Sequence, residues 1–260
     1  MADILIIGGG VGGLSAGIYA KLHGHNATVC ERHAIAGGNL TGWDRNGFHI
    51  DNCIHWLTGT NPASGGYRMW ETLGALGDVE VLQGDALYTY AYGGESLALS
   101  KDLPTLEASM LALSPKDAKE TRSLIRAIAA MQGLIGIGGP DHNEKRPASR
   151  LIPVLPDLIK YYRLTTGELG ARFRHPLLQG FFSALWGSNF GAFTLIFVFA
   201  HYCGYNGGIP KGGSTAMAQR MVERFTSLGG ELLLRKEAVR VHTDEGRATS
   251  VVFSDGTELS

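Results

Sequence analysis

The stretch that decides the fold runs from residue 3 to residue 38. It reads Asp3-Ile-Leu-Ile-Ile7, Gly8-Gly-Gly-Val-Gly-Gly13, a segment from Leu14 to Gly24, Ala27-Thr-Val-Cys-Glu31, and Gly37-Gly38. The apolar run 4–7 suits a parallel strand buried on both faces. Gly8 permits a tight turn, Gly10 lets the backbone approach a pyrophosphate, and Gly13 lets the following helix pack close to the strand. The start of that helix offers free N–H groups and partial positive charge to phosphates. Glu31 lies 23 residues beyond Gly8, where a carboxylate can accept hydrogen bonds from a ribose 2′-OH. Glycine is abundant, at 37 of 260 residues, so the glycine spacing alone is a weak signal. The strand before it, the helix after it and the acid at the right distance together point to a dinucleotide. Glu31 disfavours a 2′-phosphate, and the adjacent Arg32 offsets that only slightly.

Outward from this stretch, the apolar positions Leu14, Ile18 and Leu22 share one helical face, and Gly24 is a helix stop. The spacing predicts a loop and strand over 42–56, a helix over 64–76, and short strands over 79–82, 86–92 and 96–99 with turns at Gly84 and Gly93-Gly94. Helices follow over 103–113 and 114–135, the second opened by a Ser114 cap with Pro115 at its first position. Residues 136–150 form a glycine-, proline- and charge-rich linker. Helices are expected over 151–164, 176–186 and 190–205, a turn over 207–213 and a helix over 214–228. Strands are expected near 231–234, 238–242 and 249–253. Asp255-Gly256 is a hairpin signal, and the sequence stops within the return strand, as expected of a C-terminally truncated chain.

The composition is that of an ordinary globular protein: 44% hydrophobic, 18% charged, net charge −1. That balance gives no reason to expect a nucleic-acid partner. Cys30, Cys53 and Cys203 fit neither a disulfide framework nor a zinc site, so no metal is expected and a reducing compartment is. The first strand begins at residue 3, which leaves no room for a signal peptide, and a cytoplasmic location is the default. The run Ala192-Phe-Thr-Leu-Ile-Phe-Val-Phe-Ala200 is short of the about 20 apolar residues a spanning helix needs. It reads either as a buried helix or as the wall of a substrate tunnel, with a peripheral membrane contact. Cys53 reads as a small buried apolar residue, and His55 as a structural, hydrogen-bonded histidine or a proton donor.

The segment Glu31-Arg-His-Ala-Ile-Ala-Gly-Gly-Asn-Leu-Thr41 resembles the FAD-dependent amine-oxidase and phytoene-desaturase superfamily. Gly47-Phe-His-Ile-Asp51 and Ile54-His-Trp56 look like its carotenoid isomerase and retinol saturase branch. Ile209-Pro-Lys-Gly-Gly-Ser214, Leu228-Gly-Gly-Glu-Leu and Ala238-Val-Arg-Val resemble the family's return from the substrate domain to the flavin domain.

The resemblance implies an α/β fold: a Rossmann-like FAD-binding domain, residues 1–82 and 207–260, interrupted by a mixed α/β substrate domain, residues 83–206. It implies FAD as cofactor. Gly8, Gly10 and Gly13, with the amides near Val11 and Gly12, would hold the pyrophosphate. Glu31 would bind the adenosine ribose, Arg32 would lie over or beside the adenine, Gly38 and Asn39 would approach the flavin side, and Val239 would contact the adenine through its backbone. Asn39 stands where the family often has arginine, Asp51-Asn52-Cys53 replaces its Asp-x-Gly, and the family continues for a comparable length. The implied reaction is hydride transfer between flavin and a hydrophobic polyene or lipid-like substrate, with no catalytic side chain assigned. The alternatives are an amine oxidase and a truncated, non-catalytic FAD-binding remnant. The substrate, the reaction direction, the electron acceptor and the oligomeric state are not specified by the sequence.

Overall fold

A computed structural model describes residues 1–135 and 155–260. The expected linker over 136–150 and the start of the helix expected over 151–164 lie outside the described residues. In chain order the elements are β1 (Asp3–Ile7), α1 (Val11–Leu22), β2 (Asn26–Glu31), β3 (Gly42–Arg45), β4 (Phe48–Asp51), β5 (Leu57–Thr58) and α2 (Gly65–Thr72). Then come β6 (Val81–Leu82), β7 (Ala86–Tyr92), β8 (Glu95–Ser100), α3 (Leu103–Leu113), α4 (Ala118–Ile135), α5 (Leu155–Tyr162), α6 (Thr166–Gly170), α7 (Pro176–Phe181) and α8 (Ala192–Cys203). The last part holds β9 (Gly207–Pro210), α9 (Gly213–Ser227), β10 (Glu231–Leu234), β11 (Ala238–Asp244), β12 (Arg247–Phe253) and β13 (Glu258–Leu259).

The chain divides into two compact units. One comprises Met1–His55, Met69–Val81 and Ile209–Ser260; the other comprises Trp56–Arg68 and Leu82–Gly208.

In the first unit β1, β2 and β10 form a parallel sheet with β2 in the middle. Parallel strands are stable where both faces are covered, and both are. On one face lie α1 and α9. A Cβ on Gly17 of α1 would sit 2.7 Å from the Phe225 ring of α9 and 3.2 Å from Val29 of β2. On the other face Cys30 packs with Val251 and Phe253 of the antiparallel sheet β11-β12-β13. The one-residue step from Val29 to Cys30 thus addresses opposite layers, as a strand's period of two requires. The α/β reading of the sequence holds. Leu14 and Ile18 are fully buried, whereas Leu22, at the end of the same face, is 42% exposed.

The second unit has a helical core against the β7-β8 hairpin. Phe173, Phe181, Phe182 and Phe199 are fully buried and meet ring to ring, with Tyr88 stacked on Phe181 at 5.0 Å. These buried rings pack against one another in the core of the unit. The helix expected over 176–186 closes at Phe181. Ser114 precedes a short 3-10 turn without a side-chain cap bond. The preceding helix α3 is capped by Asp102, whose carboxylate accepts the Thr105 N–H at 2.9 Å. The stretch 207–213, expected as a turn, begins with β9, which pairs with β5 through Leu57↔Gly208 and Thr58↔Gly207.

Candidate cofactor-binding site

β1 ends at Ile7, and Gly8, at φ +104°, turns the chain in a conformation that disfavours a side chain. Gly8 N–H donates to the Cys30 carbonyl at 2.8 Å, which fixes the turn to the end of β2. Gly10 is the N-cap of α1 and supplies no side-chain cap, and no acid stands in the first turn. The N–H groups of Val11, Gly12 and Gly13 therefore precede any intrahelical acceptor and leave an anion site at the helix start. A Cβ on Gly13 would lie 1.9 Å from the Gly8 carbonyl oxygen, so only glycine fits there. A Cβ on Gly8 or Gly12 would meet nothing within 4 Å.

Glu31 closes the far side of the turn. It is 6% exposed. Its Oε2 accepts the Gly9 N–H at 2.8 Å and its Oε1 accepts the His33 N–H at 2.9 Å. The carboxylate is held in one orientation with acceptor capacity to spare, since each oxygen carries two lone pairs. A cleft of about 190 Å³ is lined by Gly8, Glu31 and Arg32 from this segment and by Lys236, Glu237 and Ala238 from the return segment. The return segment is tied down by Lys236 N–H donating to the Glu31 carbonyl (2.8 Å) and Arg235 N–H donating to the His33 carbonyl (3.0 Å). Val239 is 58% exposed and sits at a register shift between Ala238 and Arg240, where a bulge leaves one residue without an opposite partner. The Arg32 Nε donates to His33 Nε2 at 3.2 Å.

The glycine doublet packs on the turn itself. Gly37 N–H donates to the Gly9 carbonyl at 2.8 Å, and a Cβ on Gly38 would lie 3.0 Å from Gly10 Cα. Beside it a second cleft, about 390 Å³, is lined by His33, Ala34, Ile35, Gly38 and Leu40 among others. Asn39 lies in the exposed loop between them. The sequence-expected residues thus fall into two groups: Gly8, Gly10, Val11, Gly12, Gly13 and Gly38 around the turn, and Glu31, Arg32 and the strand bearing Val239 around the smaller cleft. Lys236 and Glu237 are cleft residues that no motif signalled; only their position next to the Ala238-Val-Arg-Val block pointed to them.

Asp51 ties two distant stretches of the first unit together. Its Oδ1 accepts the N–H groups of Cys53 (2.9 Å) and Ile54 (3.0 Å) and the Ser214 hydroxyl, while Oδ2 accepts the Ser214 N–H. Burial raises its pKa, but the hydrogen bonds from Ser214 and the two amides outweigh that and lower it to about 2. It is an ionised clamp on the start of α9. His55 is exposed, with Nδ1 3.0 Å from the Cys53 carbonyl. Cys53, expected to be buried, is exposed, while Cys30 and Cys203 are buried. The turn that Asp51 holds together lifts the Cys53 side chain away from the core. Among the described residues no cluster of His, Cys, Asp or Glu could hold a metal ion.

A parallel sheet with a glycine turn, a helix start free of acids and a buried acid at the end of the second strand defines a dinucleotide-binding α/β protein. Residues 11–260 match the flavin containing amine oxidoreductase family, and the chain belongs to that family. It is 26% identical over 267 residues to a lycopene-forming phytoene desaturase of Paracoccus sp., covering 98% of this chain and 52% of the relative. It is 23% identical to the human all-trans-retinol 13,14-reductase, covering 99% of this chain and 45% of that protein. The chain spans about half the length of the curated relatives it matches. A putrescine oxidase structure superposes with a TM-score of 0.58 at 17% identity, covering 99% of this chain and 56% of that one, and shares the fold.

Proposed function

We propose that this chain carries the FAD-binding part, and some of the substrate-binding part, of an FAD-dependent oxidoreductase acting on a hydrophobic polyene or lipid-like substrate. The observation that carries this reading is the buried Glu31, oriented by Gly9 and His33 beside an uncapped, glycine-lined helix start. The residues fit the cofactor: the backbone space left by the glycines suits phosphates, and the fixed carboxylate suits a ribose diol. Gly8, Gly10, Val11, Gly12 and Gly13 would hold the pyrophosphate. Glu31 would hold the ribose, with Arg32 and the Val239 backbone at the adenine, and Gly38 and Asn39 toward the flavin. Residues 1–82 with 207–260 would form the cofactor domain and residues 83–206 the substrate domain.

When bound, FAD supplies the hydride chemistry, for desaturation, saturation or isomerisation of the substrate. The chain's own residues bind it and set its orientation. The helix start offers N–H donors, each hydrogen bond to a charged phosphate contributing about 1.5–3 kcal/mol. No side chain of this chain is assigned a catalytic proton. Three free cysteines, two of them buried, suit a reducing, cytoplasmic setting, and a hydrophobic substrate favours work at the edge of a membrane.

Anaerobic titration of the purified flavoprotein tests the substrate class. Bleaching of the oxidised flavin by a polyene or retinoid (desaturation), return of the flavin band on adding it to pre-reduced enzyme (saturation), or its isomerisation without net flavin change, with no bleaching by primary amines, is the predicted result. Bleaching by an amine, with peroxide formed once air is admitted and oxygen reoxidises the flavin, would replace this reading by an amine oxidase. No change of either flavin state by either compound and no conversion of the polyene, with FAD bound, would favour a non-catalytic remnant.

A further inference from the structure

Within the second unit lies a cavity of about 180 Å³, lined by Asn61, Ser64, Gln132, Ala200, Gly204 and Asn206 among others. Its wall is a network of amides. Asn206 Oδ1 accepts the Asn61 N–H at 3.0 Å, which fixes the orientation of the Asn206 amide. Asn206 Nδ2 therefore donates to His201 Nδ1 at 3.1 Å, and the His201 proton sits on Nε2. Burial lowers the His201 pKa, so the ring is a neutral imidazole. Asn61 Nδ2 donates to the Gly204 carbonyl at 3.0 Å, and Asn61 Oδ1 accepts the Ala63 N–H at 2.9 Å. The Asn61 and Asn206 amides each keep a second N–H hydrogen. Gln132, on α4, brings a third amide. A Cβ on Gly204 would lie 3.6 Å from Gln132 Nε2, and this side chain has no hydrogen bond to a described residue. Among the described residues that line the cavity, none is charged.

We infer that this cavity is a subsite for an alcohol headgroup at one end of an apolar substrate, recognised by Asn61, Gln132 and Asn206. The inference rests on the reading above that the substrate is hydrophobic, and it adds a neutral polar end. A hydroxyl both donates and accepts, and the wall offers both partners: N–H hydrogens from Asn61 and Asn206, and the Gln132 amide oxygen. A carboxylate would leave water without a cation to receive it. It would also face the C-terminal end of α8, where Gly204 is the cap and the partial charge of the helix is negative. An ammonium would be desolvated with no carboxylate beside it. A purely apolar end would displace water and leave the amides unpaired. The volume is below the 300 Å³ or more, roughly, of a site for a whole drug-sized ligand, so it suits one end of a longer molecule. The apolar remainder has a neighbouring surface: Phe197, one turn before Ala200 on α8, is 41% exposed, and its ring lies 4.4 Å from that of His201.

Equilibrium dialysis of the purified 260-residue chain against four compounds that share a farnesyl chain tests this. They are the alcohol, its methyl ether, the carboxylic acid and the primary amine. The alcohol should bind about tenfold or more tightly than each of the others, the worth of one or two hydrogen bonds. Gln132→Leu, at a half-buried position of α4, should bring the alcohol and the ether to within about threefold of each other. Gln132→Glu should raise the affinity for the amine by about tenfold, because a carboxylate then faces the ammonium. A gain of that kind cannot come from a folding defect. Equal binding of alcohol and ether by wild type would overturn the inference and leave the hydrophobic-substrate reading standing. So would tighter binding of the acid or the amine, or an alcohol preference that both variants keep. Binding of none of the four would overturn the hydrophobic-substrate reading and this inference together.

Discussion

Asp51 and Ser214 are 163 residues apart in sequence and share two hydrogen bonds: the Ser214 hydroxyl reaches Asp51 Oδ1 at 2.5 Å and its N–H reaches Oδ2 at 2.6 Å. Gly213, at φ +63°, leaves room for this, because a Cβ there would lie 2.2 Å from Oδ2. The contact joins the β3-β4 hairpin, which follows the glycine doublet, to the helix that leads back into the parallel sheet. A negative charge at a helix start is stabilising in its own right.

Asp51→Asn should therefore destabilise the chain by about 1–2 kcal/mol, the usual cost of a lost helix cap. The folded-state pKa of Asp51 lies below its unfolded value, at about 2. Its contribution is complete above the unfolded value of about 4 and is lost as pH falls toward 2. Denaturant unfolding of wild type and variant at neutral pH and at several acidic values checks this. The gap between the two should narrow across that window. A constant gap would mean that the charge is not what stabilises the contact.

Gly13→Ala puts a methyl group 1.9 Å from the Gly8 carbonyl oxygen, so the turn or the helix must move. Overpacking of this kind costs about 1–3 kcal/mol, and the displaced turn should also lose flavin. Thermal unfolding and flavin retention should fall together. Gly12→Ala, with open space around its Cβ, should cost less stability than Gly13→Ala.

In the other unit, Gly207 lies flat against an indole ring. A Cβ there would lie 2.0 Å from Trp56 Cε3. Gly207→Ala should lower stability by about 1–3 kcal/mol, measurable as a shift in the denaturant midpoint and as a change in tryptophan fluorescence.

The thiols should separate by reactivity. Burial raises the pKa of Cys30 and pushes that of Cys203 up to about 12, which keeps both as poorly nucleophilic thiols. Cys53 is exposed. A thiol reagent at mildly alkaline pH should modify one cysteine of the native chain quickly and the other two after unfolding. Fast modification of Cys203 in the native state would contradict its packing in the second unit.

Much of the first unit was legible because its signals are local. Gly8, Gly10, Gly13 and Glu31 each stand at a spacing whose physical reason lies within one strand-turn-helix-strand unit, and the structure has Gly8 in the turn and Gly13 at the close approach of helix to strand. The role of Asp51 was not legible, since its partner lies 163 residues away. Gly207-Gly-Ile-Pro210 reads as a turn by composition, yet it pairs as a strand because Leu57 and Thr58 offer it an edge and Trp56 needs a residue without a side chain. The run over 192–200 was legible as apolar, but which of its rings and of the neighbouring ones are core or surface was not. Which rings are buried depends on which helices meet them: Phe181 and Phe199 are inside while Phe190 and Phe197 are out.

The most direct test of the cofactor site is flavin retention by the purified chain after incubation with FAD and desalting, compared with Glu31→Gln. The amide keeps the shape but presents an NH₂ to either the Gly9 or the His33 N–H, which leaves a buried donor unpaired at a cost of about 1–3 kcal/mol. Wild type should retain absorbance near ~450 nm, and the variant should bind FAD at least about tenfold more weakly. Equal retention by wild type and variant, or none by wild type, would contradict the assignment of this strand-turn-helix unit as the FAD site.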